Sequence, residues 1–206
     1  MSHYERPRPP RAQASRLLIA STAARLMAED GITDFGRAKQ KAARQLGLPE
    51  SAMLPDNAEV EAELRLYQAL YQSDAQPAEL YRLRAEACKI MEVLADFHPY
   101  LTGAVLDGTA GAFSAIDLML FADSAKEVEI FLLNRDMPFE HAEVRVTHHD
   151  KAEATLRLFT PAAEAILMIF PPHHERHRFK HRDGRPRERA RRETLLHLMQ
   201  TPCNGQ

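Results

Sequence analysis

Three of the chain's eight glycines, Gly103, Gly108 and Gly111, fall within nine residues, just ahead of the apolar run Ile116–Phe121. Few sequence features restrict a backbone more. Glycine is the default residue where the chain must turn sharply or pass close to another group. Ile-Asp-Leu-Met-Leu-Phe has the length and composition of a strand. One carboxylate, Asp117, stands at its start. The stretch therefore reads as a strand, a tight glycine turn and a second strand that opens on an acid.

The pattern on either side differs. Upstream, apolar residues recur at helical spacing. "SRLLIASTAARLMAEDG" ends at Gly31, and "TDFGRAKQKAARQLG" runs from Thr33 as N-cap to Gly47 as C-cap. A third helix begins at Asn57 with acids in its first turn, where they complement the helix dipole. "PAELYRLRAEACKIMEVLADF" gives a fourth, with Leu80, Leu83, Ala87, Ile90, Met91 and Leu94 on one side and Cys88 turned to packing. Pro99 ends that series. Beyond it "YLTGAV" and "IDLMLFA" read as strands, and "SAKEVEIFLLNRD" as an amphipathic helix with Val128, Ile130, Phe131 and Leu132 inside. "AEVRVTHH", "EATLRLFT" and "EAILMIF" read as a meander of short strands, and "PRERARRETLLHLM" as a closing helix. The expected class is α+β. The expected parts are a basic flexible N-terminus over 1–16, a helical domain over 17–98, an α+β domain over 99–172, and a basic tail with a short helix over 173–206.

Charge is unevenly spread. Residues 173–192 carry nine Lys or Arg against three Asp or Glu, and residues 1–16 carry four Arg against one Glu. Against a net charge of −2, these segments of +6 and +3 leave the remainder at −11. Basic ends on an acidic body suit a polyanionic partner, through counterion release from a phosphate backbone. Arg176, Arg178, Lys180, Arg182, Arg185 and Arg187 are the candidate RNA contacts; with Phe179 the one aromatic among them, base readout is not expected. His173, His177 and His181 share a helical spacing, but the arginines and lysine between them disfavour a zinc ion. Two cysteines, Cys88 and Cys203, give neither a disulfide framework nor zinc spacing. No apolar stretch is long enough to span a bilayer, and the N-terminus lacks a secretory core, so a cytoplasmic protein is expected.

Gly103, Gly108 five residues on, Ser114 and Ala-Ile-Asp-Leu at 115–118 together resemble the motif of the nucleotidyltransferase superfamily of the polymerase-β type. That motif is Gly-Ser, a glycine five residues later, then Ser-Asp-hydrophobic-Asp leading a strand. The resemblance implies a nucleotide-phosphate turn at Gly103, Ala104, Gly108 and Ser114. It also implies a magnesium ligand and catalytic acid at Asp117, and a third acid on a later strand, with Glu143 or Glu153 as candidates. Two positions depart from the motif. Ala104 replaces the phosphate-touching serine, and Ala115 replaces the first aspartate. Magnesium demands several oxygen ligands in near-octahedral array, and losing one such electrostatic element removes about 10²–10³ in rate. The expected function is therefore either a transferase using a nucleoside triphosphate, or a non-catalytic relative that binds nucleotide, RNA or a protein partner.

Overall fold

The computed structural model describes residues 11–49, 52–143, 152–180 and 184–200. The chain divides after Ser73 into two compact units. The first holds α1 (Arg11–Asp30), α2 (Phe35–Gln45) and α3 (Asn57–Tyr71). Ile19, Ala20, Ala23 and Leu26 of α1 form its core with Ala38 and Ala42 of α2 and Val60 of α3. Asp34, not Thr33, caps α2 by accepting from the Arg37 amide at 2.7 Å. At α3, Asp56 and Glu59 make a reciprocal capping box, and Arg16 adds a bidentate ion pair to Glu59. α1 begins several residues earlier than the serine start expected from sequence.

The second unit is α+β, a six-stranded mixed sheet with helices on one face. Its elements are α4 (Ala75–Val93), β1 (Tyr100–Thr102), the four-residue α5 (Ala104–Asp107), β2 (Ile116–Phe121), α6 (Ala125–Leu133), β3 (Phe139–Ala142), β4 (Ala154–Phe159), β5 (Glu164–Phe170), β6 (Arg189–Ala190) and α7 (Arg192–Gln200). Strand order is β3-β4-β5-β2-β1-β6, and only β2 and β5 pair in parallel. Alternation along each strand sends Leu101, Ile116, Leu118, Leu120, Leu156, Leu158, Leu167 and Ile169 to one face. There they share a core with Leu83, Ala87, Ile90 and Met91 of α4, Val128 and Leu132 of α6, and Leu195 of α7. Sequence pattern groups α4 with the helices before it; its buried side belongs to the sheet. Ile130, expected inside, is 48% exposed.

The opposite face carries a smaller aromatic core of Tyr100, Met119, Phe121, Phe170 and Phe179. Residues 171–180 and 184–190 lie along this face. A short 3-10 helix over Pro172–Arg176 leads to Phe179, Lys180 bridges to Pro186, and the chain enters the sheet as β6. Among the described residues of the basic end, Phe179 and Ala190 are buried. Arg189 lies over the rings of Tyr100 (4.7 Å), Phe179 (5.5 Å) and Phe121 (5.6 Å), so its charge is held by aromatic faces. No described helix is long and apolar enough to cross a membrane.

Candidate functional site

β1 ends at Thr102, and Gly103 turns the chain into α5 with φ +71° and ψ −158°. That region of backbone space is closed to residues with a side chain. A second constraint meets there. A Cβ on Gly103 would lie 2.6 Å from Oδ2 of Asp117, so the carboxylate occupies the space a side chain would need. The register explains the approach: Thr102 pairs with Asp117 across β1 and β2, which puts the acid beside the first residue of the turn. Asp117 is half-buried, between the buried Ile116 and Leu118.

α5 is closed by Asp107 N–H donating to Gly103 O at 2.9 Å, and by Ala104 O accepting from the amides of Gly108, Thr109 and Ala110. Gly108, at φ +84°, ends it. The first-turn amides of so short a helix have no intrahelical acceptor. α4 holds the device from behind. Arg84 donates to Val105 O and Leu106 O at 3.1 Å each, and Gln76 donates to Gly108 O and Ala110 O at 3.0 and 2.8 Å. Ser114 is committed to its own loop: its Oγ accepts from Gly111 N–H and its amide donates to Gly111 O, both at 3.0 Å. These two bonds pin the approach to β2.

The other two acids are not brought to Asp117. Glu143 follows β3, the edge strand, with β4 and β5 intervening before β2. Glu153 donates its amide to Ile169 O at 2.8 Å, three residues along β5 from Ile166, the register partner of Asp117, or about 10 Å along the strand. The strand beside β2 is β5, and it supplies an acid that sequence reasoning missed. Glu164 lies two residues before Ile166 and so points to the same face as Asp117. Its Oε1 pairs with Arg157 Nε at 3.0 Å, Arg157 being the partner of Ile166 on the other side. Nothing in the local pattern of "EAILMIF" marks that residue, because its position follows from strand order alone.

A second polar cluster sits at the far end of β1. Tyr100 Oη donates to Glu175 at 2.8 Å and accepts from Arg191 Nε at 2.8 Å. Arg191 Nη2 reaches Glu175 at 3.0 Å, and His98 Nδ1 lies 3.5 Å from it. Burial pushes the Glu175 carboxyl up, but the Tyr100 hydroxyl, His98 and Arg191 together outweigh it and hold the group below the usual carboxylate value. Of the basic residues, Arg176, Arg178 and Lys180 are exposed and Arg185 is half-buried. Arg187 is drawn to the sheet, with Nη1 3.7 Å from Met168 Sδ and a buried Nε lacking a hydrogen-bond partner. Arg182 lies outside the described residues. Among those described, no group of three or more His, Cys, Asp or Glu side chains is placed to hold a metal ion. No protein-family model matches the chain, and no curated protein matches it.

Proposed function

We propose that this chain is a nucleotidyltransferase-like protein that binds a nucleoside triphosphate at the Gly103 turn, with transfer chemistry weakened or lost. The observation that carries the reading is the 2.6 Å approach between the Gly103 position and Oδ2 of Asp117. It sets a carboxylate beside amides that have no intrahelical acceptor, at the junction of a strand and a short helix. Asp117 contributes one anionic oxygen set. Magnesium is commonly held by one or two carboxylates together with substrate phosphates, so an ion arriving with the nucleotide suits this donor set, whereas two resident ions do not. Ala115 supplies no bridging group, and Glu164, the acid on that face of the neighbouring strand β5, is engaged by Arg157. The exposed Arg176, Arg178 and Lys180 give a polyanion such as an RNA end a surface to approach.

The test joins two measurements on the full chain. Nucleoside triphosphates with magnesium are expected to raise Tm in proportion to the logarithm of ligand concentration. Transfer from labelled nucleotides, with magnesium or manganese, is expected to be absent or slow. A robust transfer abolished by Asp117→Ala would make the protein an active enzyme, with Glu164 as the second acid. A Tm unmoved by every nucleotide would leave a protein-interaction module as the better reading.

A further inference from the structure

Between the end of α5 and the start of β2, residues 108–115 read Gly-Thr-Ala-Gly-Ala-Phe-Ser-Ala. Seven of these eight side chains are no larger than threonine, and the eighth is a phenylalanine whose surface is 60% exposed. The loop that carries it is fixed. Gln76 bonds two of its carbonyls, Thr109 and Ala110 are buried, and Ser114 closes a turn onto Gly111 in which Ala112 and Phe113 are the corner residues. Phe113 is four residues from Asp117, so their Cα atoms are at most about 14 Å apart. It therefore stands at the sheet end that carries the Gly103 turn and the acid.

We infer that Phe113 is the base-stacking residue of this site, a flat apolar surface on which the nucleobase lies while the phosphates meet the turn at Gly103. The inference rests on the nucleotide reading above and names the residue that recognises the base. The chemistry agrees with the surroundings. Every nucleobase offers a π-face to an aromatic ring. No large neighbour in the loop competes for the ring, and the pinned backbone presents it with little ordering left to occur on binding. Stacking of this kind discriminates weakly among bases, so the site is expected to accept several nucleoside triphosphates and to prefer purines through their larger face.

Calorimetric titration with magnesium separates the two layers of the argument. The probes are ATP, GTP, CTP, UTP and inorganic tripolyphosphate; the proteins are wild type, Phe113→Ala and Phe113→Trp. Wild type is expected to bind the nucleotides more tightly than tripolyphosphate. Phe113→Ala is expected to lose about 5- to 150-fold in nucleotide affinity, leave tripolyphosphate affinity unchanged, and keep its Tm without ligand. Phe113→Trp is expected to retain nucleotide affinity. If Phe113→Ala binds nucleotides as wild type does, the stacking role is wrong while the phosphate site stands. If wild type binds no nucleotide, both are wrong.

Discussion

Gly103 and Asp117 are a pair that neither residue explains alone. The glycine answers to backbone strain, since its φ and ψ lie where a Cβ costs about 1–3 kcal/mol, and separately to the carboxylate filling the Cβ position. Gly103→Ala should therefore destabilise the protein by about 2 kcal/mol or more, read by urea denaturation. Adding Asp117→Ala should recover the steric share but not the backbone share, giving a non-zero coupling in a double-mutant cycle. Strict additivity would mean that the two groups do not touch in solution. Cys88 makes a second residue-scale test. Burial pushes its thiol up, and Arg192 opposes this only in part, so in a Cys203→Ser background Cys88 should resist a thiol reagent until the protein unfolds. Rapid modification of the native protein would contradict its packing.

Among the elements, the segment over 171–190 departs most from what the sequence suggests. Its seven Lys or Arg with three acids look like a solvated end, yet Phe179 and Ala190 are buried and Arg189 rests on three rings. Local pattern hides this, because single apolar residues among charges carry no periodicity. Removing residues 173–206 would thus take core with it and would not isolate the charge. The Glu175 cluster gives a pH test of the same segment. A carboxyl held below its ordinary value stabilises the fold above that value, 4.5 for glutamate, and the contribution is lost as pH falls through the lower, folded-state value. Glu175→Gln should flatten the acid limb of a stability–pH curve below about pH 4.5; an unchanged limb would show that the cluster does not persist in solution. By contrast β5 is legible to the residue, and the acids at the start of α3 mark the end that its capping box closes. The allegiance of α4 and the role of Glu164 are not legible. The second follows from β5 returning to lie parallel beside β2, a pairing of strands more than forty residues apart, and the first from side chains of α4 packing on a core drawn from the whole sheet.

At the scale of the whole molecule, the three-helix unit and the sheet unit have separate cores, and the candidate chemistry lies wholly in the second. Surface charge is the other property at this scale. Arg176 and Arg178 are exposed, so reversing both to Glu should weaken RNA binding and reduce its salt dependence without changing Tm. Unchanged binding would place any RNA contact elsewhere. If Gly103 and Asp117 form one nucleotide-phosphate site, the isosteric Asp117→Asn variant should disable its magnesium-dependent part. ATP affinity should be measured by calorimetry for wild type and variant, with and without magnesium. Wild type should bind ATP more tightly with magnesium, and Asp117→Asn should lose at least about tenfold of that gain, one lost charge-assisted contact, while its fold is kept. ATP binding that is absent in wild type, or that is the same in both proteins, would contradict such a site.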